Sequence, residues 1–161
     1  MEKKRSLFLV IFLLLVVALS QGCSSKNDKD YNVEQFIKEK QIINPKIVAL
    51  KDKSYIFSGE NTIYVFRNKG DFEYFVGEPN KSFVIGGLEK GSVGIIIKNI
   101  EIAKNIKSYK VILDSIGTDH ELEYKEENNL VVLDERIWNP NPNFKIIFYN
   151  NLGEEILTVN H

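Results

Sequence analysis

The sequence predicts a mostly β protein: an antiparallel β-sandwich preceded by one short amphipathic helix and an apolar amino-terminal leader. Three observations predict it. About ten short apolar or aromatic runs succeed one another at spacings near 8–12 residues, the rhythm of a sandwich or partial barrel. Glycine, asparagine and aspartate stand between them, where turns need residues that tolerate unusual backbone angles. Beyond Pro45 the long helices that carry a chain between parallel strands are missing from the pattern. The 161 residues, 43% hydrophobic and 27% charged, suffice for one domain or two small ones.

The leader comes first. Lys3, Lys4 and Arg5 make a positive start, and all 13 residues from Leu7 to Leu19 are apolar. A helix that crosses a bilayer needs ~20 such residues and a secretory leader roughly 7–15. The run therefore reads as a signal peptide over residues 1–22. Residues 23–31 follow as a polar tether, with no apolar side chain from Ser24 to Asp30. From Ser24 to Asn32 it reaches at most ~30 Å.

Residues 32–44 are the expected helix. Asn32 stands as N-cap with Gln35 three places on. Val33, Phe36 and Ile37 form one apolar stripe, while Glu34, Lys38 and Lys40 face water. Pro45 disfavours helical geometry in the residue before it.

Residues 45–91 are expected as an aromatic-rich β subdomain. Its strands are Lys46–Leu50, Tyr55–Ser58, Thr62–Arg67 and Phe72–Val76, the last entered through the Asn68-Lys69-Gly70-Asp71 turn. Ser82–Ile85 follows and is expected to end at a Gly86-Gly87 break. Residues 92–161 are expected as a second subdomain, with strands Ser92–Lys98, Tyr109–Asp114, His120–Lys125, Leu130–Asp134, Phe144–Tyr149 and Glu155–Val159. Glu101–Ile106 reads as a helical turn and Gly117-Thr118 as a β turn. Whether the two subdomains share one core is open at this stage.

Charge and cysteine content exclude several functions. Setting aside Glu2, Lys3, Lys4 and Arg5 leaves 18 basic and 21 acidic residues, a net of −3 on the rest of the chain. Nucleic acid, which calls for a basic face, is not an expected partner. One cysteine forms neither an internal disulfide nor a Cys-rich zinc site.

Candidate chemistry is sparse. Asp119-His120-Glu121 combines an imidazole with two carboxylates, but strand alternation sends His120 to the opposite face from its neighbours. His120 stays a candidate contact residue only. A nucleophile elbow is missing, since Lys90-Gly91-Ser92-Val93-Gly94 has no residue between Gly91 and Ser92. Gly86–Ser92 has its lysine in the wrong place for a phosphate loop. In Trp138-Asn139-Pro140-Asn141-Pro142-Asn143-Phe144, two prolines restrict the backbone and the amides both donate and accept. Trp138, Asn139 and Asn141 are therefore candidate contacts to a sugar or a partner protein. The competing reading is a connecting loop pinned by Trp138 in the core. No catalytic residue, metal ligand or diffusible cofactor is assigned.

Two resemblances sharpen this picture. Leu19-Ser20-Gln21-Gly22-Cys23 resembles the lipobox of bacterial lipoproteins. The resemblance implies cleavage between Gly22 and Cys23, and a diacylglyceryl group on the Cys23 sulfur with or without a further N-acyl chain. It implies anchoring through Cys23 in the lipid bilayer, on the extracytoplasmic face of the cell membrane. The second half, with its strand rhythm, its Asp114…Gly117-Thr118 turn and its Asn-Leu-Gly-Glu-Glu-Ile ending, is similar to immunoglobulin-like or fibronectin-type sandwiches of small Gram-positive surface lipoproteins. That similarity implies a non-catalytic binding or interaction module whose partner is an envelope protein or a cell-wall polymer. The alternatives are an envelope hydrolase or transferase with an unannounced site, and an immunity-like or inhibitor lipoprotein.

Overall fold

The computed structural model describes residues 31–89, 91–113, 116–121, 128–137 and 144–160, and for Asp119, His120 and Glu121 the backbone alone. The leader, the Gly22–Cys23 junction and the Trp138–Asn143 segment lie outside the described residues. Within the described residues the protein is mostly β, with three antiparallel sheets and two short helices. No helix among the described residues is long and apolar enough to cross a membrane.

Helix α1 spans Val33–Glu39. The Asn32 side chain accepts the Gln35 amide proton at 3.0 Å, satisfying one of the donors that a helix start leaves without a partner. Glu34 in the first turn and Lys38 in the last oppose the helix dipole with the favourable sign. The helix is shorter than the expected 32–44. Gln41 turns left-handed at φ 53°, and the Ile42 and Gln41 amides close back on the carbonyls of Ile37 (3.0 Å) and Lys38 (3.2 Å). This reverse-turn cap stops the helix before Pro45 has any influence.

Sheet 1 is a meander, ordered β1 (Lys46–Ala49), β2 (Ser54–Ser58), β3 (Thr62–Asn68), β4 (Asp71–Val76). Gly70 at φ 81° makes the β3–β4 turn expected from Asn68-Lys69-Gly70-Asp71. Register divides its side chains by alternation: Tyr64 lies opposite Tyr74 and Phe66 opposite Phe72 on one face, Ile63 opposite Phe75 on the other. The first face is covered by α1, whose Phe36 ring sits 4.9 Å from Phe66 and 5.0 Å from Phe72. The second face gives Tyr55, Phe57, Ile63 and Val65 to a smaller core.

Sheet 2 is ordered β5 (Phe83–Glu89), β6 (Ser92–Ile97), β9 (Asn129–Leu133). It is the middle layer. All six residues of β6 are buried. Val93, Ile95 and Ile97 enter the larger core, while Ile96 enters the smaller one against sheet 1. That double burial explains why Ser92–Ile97 reads as a continuous apolar run and not as an alternation.

Sheet 3 is ordered β11 (Glu155–Asn160), β10 (Lys145–Tyr149), β7 (Ser108–Leu113), β8 (Ile116–Glu121). Tyr109, Val111, Ile146, Phe148, Leu157 and Val159 face sheet 2 across the larger core. Helix α2, Ile100–Asn105, carries the chain from β6 to β7. Its N-cap Asn99 accepts the amides of Glu101 and Ile102, and Ala103 is buried.

Two expectations are corrected. Gly86-Gly87 does not break a strand; both lie inside β5, which pairs with β6 from Phe83 opposite Ile97 to Glu89 opposite Ser92, with a register shift between Gly86 and Glu89. The glycines are there for packing. A Cβ at Gly94 would come 2.7 Å from the Tyr55 ring, and one at Gly87 would come 2.6 Å from Val65. Removing those side chains lets the rings of sheet 1 lie directly on the backbone of sheet 2. Gly117-Thr118 likewise lies within β8, opposite Ile112 and Val111, so this strand starts before the expected His120.

Candidate functional site

The three sheets stack so that their edge strands come together on two sides, and the sides differ. On one, β1, β9 and β8 are tied by side chains. Lys46 Nζ on β1 donates to Asn129 Oδ1 at the start of β9, at 2.8 Å. Arg136, just past β9, donates to the Ile116 carbonyl of β8 at 2.8 Å and to the Val111 carbonyl of β7 at 3.1 Å. Asp134 holds the guanidinium in place at 2.6 Å.

On the other side, β4, β5 and β11 border a cleft of about 340 Å³. Phe75 comes from β4, Ile85, Gly86, Gly87 and Leu88 from β5, Asn160 from the end of β11, and Lys81 from the β4–β5 loop. The volume lies at the lower end of small-ligand sites, roughly 300–1,000 Å³. Lys81 pairs with Glu78 at 2.8 Å, with both side chains more than half exposed. The register shift in β5, centred on the left-handed Gly87 (φ 68°), shapes the cleft floor.

Beneath Gly87 lies a buried polar cluster that binds sheet 1 to sheet 2. Tyr55, 0% exposed, donates its hydroxyl proton to the Gly87 carbonyl at 2.7 Å. Its one proton is then committed, so Ser92 Oγ, at 2.9 Å, is the donor in the Tyr55–Ser92 bond. Lys53, a buried residue, donates from Nζ to the Glu89 carbonyl at 3.0 Å. The Arg67 guanidinium pairs with the Glu89 carboxylate and lies 3.4 Å from Asp71 and 3.5 Å from Glu73. Serine, tyrosine and lysine together suggest nucleophilic chemistry, yet Ser92 is 1% exposed and no substrate reaches it. The cluster is a cross-link between sheets.

Burial pushes the Tyr55 hydroxyl up to about 12; the Ser92 hydrogen bond pulls against this, Glu89 adds to it, Arg67 opposes and Asp52 adds. The folded state thus keeps this proton above the ordinary ~10 of a free tyrosine. Its contribution is complete below pH 10 and is lost as pH rises from 10 to 12, about 2–3 kcal/mol in all. The urea midpoint should fall over that window, and Tyr55→Phe should flatten the fall. An unchanged alkaline slope in Tyr55→Phe would assign the loss to other groups.

Of the residues singled out in the sequence, His120 is placed by its backbone opposite Tyr109, with Asp119 opposite Lys110 and Glu121 opposite Ser108. His120 thus has the opposite parity to both carboxylates, as alternation requires, and it lies on β8, at the far side from the cleft. Trp138, Asn139 and Asn141 lie outside the described residues, as do Gly22 and Cys23. Of the cleft residues, Phe75 belongs to the aromatic set between Tyr55 and Phe75 that the sequence marks as core or contact patch, while Lys81 and Asn160 carry no sequence signal. The cleft's other visible signal was Gly86-Gly87. Among the described residues, no three His, Cys, Asp or Glu side chains gather as a metal ion would require. No protein family, curated protein or solved structure matches the chain.

Proposed function

We propose that the chain is a lipid-anchored, extracytoplasmic lipoprotein of the cell envelope whose body is a non-catalytic binding module. The observation that carries the reading is the 13-residue apolar run of the leader, closing four residues before the chain's one cysteine. Lipid at Cys23 would hold the described body close to the membrane, because the tether spans at most ~30 Å. Two or three acyl chains, at ~0.8 kcal/mol per buried CH₂, anchor firmly where one does not.

Strand order supports the immunoglobulin-like part of the reading. Lettering β5 to β11 as A, B, C, C′, E, F and G gives one sheet A-B-E and another G-F-C-C′. That order is compatible with the two-sheet arrangement of immunoglobulin- and fibronectin-type sandwiches, with C′ joined to the G-F-C sheet, although its A strand comes from the expected first subdomain and not from residues 92–161. The meander and α1 then form an additional layer on the A-B-E face. The cleft at the A and G edges gives such a module a place to bind.

Cys23→Ala tests the anchor. The variant is expected to leave the membrane fraction or to keep its leader, and mass spectrometry should find lipid on wild-type Cys23 only. A Cys23→Ala protein that stays membrane-bound at the wild-type mature mass would overturn the proposal.

A further inference from the structure

We propose that β4 is a self-association edge: two copies of the chain pair β4 with β4, antiparallel about a two-fold axis, and join their first sheets into one. The proposal goes beyond the binding-module reading and stands apart from it. Among the described strands β4 pairs with β3 alone. The direction of its remaining backbone groups follows from one bond. Gly77 N–H donates to the Asn61 carbonyl at 2.8 Å, one step beyond the opposed pair Thr62 and Val76. Antiparallel pairs alternate between bonded and non-bonded, so Glu73 and Phe75 turn their N–H and C=O groups to β3. Phe72, Tyr74 and Val76 turn theirs to the open edge, where among the described residues no hydrogen bond reaches them. The side chains there are open too, with Tyr74 63% and Val76 58% exposed. Asp71–Val76 is rich in strand-forming aromatic residues and holds neither lysine nor proline, two of the usual means of blunting an edge.

Symmetry then fixes the register. Outward-turned residues must stand opposite one another for both chains to bond. An axis at Tyr74 achieves this along the whole strand: Tyr74 meets its own copy, Phe72 meets Val76 and Val76 meets Phe72, for about six backbone hydrogen bonds. An axis at Glu73 would set two carboxylates directly opposite each other, which is unfavourable. An axis at Phe75 would leave Phe72 beyond the end of the opposing strand. In the Tyr74 register the rings of Tyr64 and Tyr74, 6.1 Å apart, continue as one aromatic row across the axis. Glu73, 3.5 Å from its own Arg67, comes to stand beside Phe75 of the second copy. Phe75 lines the cleft, so each copy adds a carboxylate to the rim of the other's cleft. The arrangement also suits two anchored chains. The axis is perpendicular to the joined sheet, so both copies of α1, packed on Phe66 and Phe72, stand on the same side of it. Both tethers therefore enter from one side, within reach of one bilayer. Confinement to that surface raises the concentration of each copy near the other, and a small contact suffices.

The test uses the full chain purified from membranes in detergent. Sedimentation should find a monomer–dimer equilibrium with a Kd of roughly 10–100 µM, as befits a small interface. Tyr74→Lys sets two like charges on the axis and should weaken the dimer about tenfold. Because Tyr74 is exposed, that variant should keep the wild-type melting temperature. Tyr74→Cys should cross-link two copies on mild oxidation, since the Cα atoms of a bonded antiparallel pair lie ~5.5 Å apart, within disulfide range. Glu73→Cys stands opposite Phe75 and should not cross-link; wild type oxidised in parallel controls for Cys23. A chain that stays monomeric at ~1 mM overturns the proposal. So does a dimer that Tyr74→Lys leaves intact, or one that cross-links through Glu73→Cys and not through Tyr74→Cys. The mass of Cys23 in the same preparation scores the anchor separately. A lipidated monomer sinks this proposal alone, whereas an unlipidated dimer sinks the envelope reading alone.

Discussion

Gly87→Ala should lower the stability of the protein by about 3 kcal/mol, while Gly70→Ala should cost only about 1 kcal/mol. Both glycines are left-handed, at φ 68° and φ 81°. An alanine at either position carries the same backbone penalty, ~1–2 kcal/mol for a residue with a Cβ. Their surroundings differ. A Cβ at Gly70 meets nothing within 4 Å, whereas a Cβ at Gly87 would stand 2.6 Å from Val65 and 2.7 Å from the Tyr55 ring, both wholly buried. Neither neighbour can swing into solvent, so sheets 1 and 2 must separate locally, and overpacking a dense core costs ~1–3 kcal/mol more. The same shift strains the bond from the Tyr55 hydroxyl to the Gly87 carbonyl. Urea melts of both variants measure the difference directly. Equal losses would mean that backbone angle alone selects glycine at residue 87, and that sheet 1 does not lie tightly on sheet 2.

This layering decides what the sequence disclosed. Local signals were legible: Asn32 with Gln35 marked a helix start, Asn68-Lys69-Gly70-Asp71 marked a hairpin, and the apolar run from Tyr109 marked a strand, observed as Ser108–Leu113. Each depends on neighbours a few residues away. Gly86-Gly87 misled because its role is set by other strands: Phe75 of β4 lies against Gly86, and Tyr55 and Val65, more than twenty positions earlier, lie against Gly87. Read locally, two adjacent glycines mean a turn; read in three dimensions, they are the absence of side chains that lets aromatic rings approach. The stop of α1 was misplaced for a related reason. A left-handed Gln41 ends the helix where glycine is the usual signal, so composition carried no trace of it. The cleft was the least legible feature, because Phe75, Lys81 and Asn160 belong to separate strands and loops and meet only through sheet order. His120 shows the opposite case: parity alone separated it from Asp119 and Glu121, and the β7–β8 register has the same parity.

Arg136→Ala should cost about 3 kcal/mol, because it removes the clamp that closes the side of the stack opposite the cleft. The Asp134 side chain is 6% exposed and Arg136 31%, so the pair is buried at one end and wet at the other. Without the guanidinium, a desolvated carboxylate loses its bonds from Nε and Nη2, and the Ile116 and Val111 carbonyls lose their donors. Breaking a fully buried pair costs ~3–5 kcal/mol, and the partial exposure of Arg136 places this one at the lower end. Arg136→Lys keeps the charge but not the planar fork that reaches three acceptors at once, and should recover less than half of the loss. Replacing both partners, Asp134→Asn with Arg136→Met, removes the buried charge together with its guanidinium and should be less harmful than Arg136→Ala alone. A second readout separates this from general loosening. Burial, and after it the charge of Asp134, already push the Tyr109 hydroxyl above its ordinary range. With Arg136 gone, Asp134 faces Tyr109 without the guanidinium beside it, and ultraviolet titration should find that tyrosine raised further. If Arg136→Ala instead costs no more than a surface substitution, ~0.5 kcal/mol, and leaves Tyr109 unmoved, the two sides of the stack are not mechanically different.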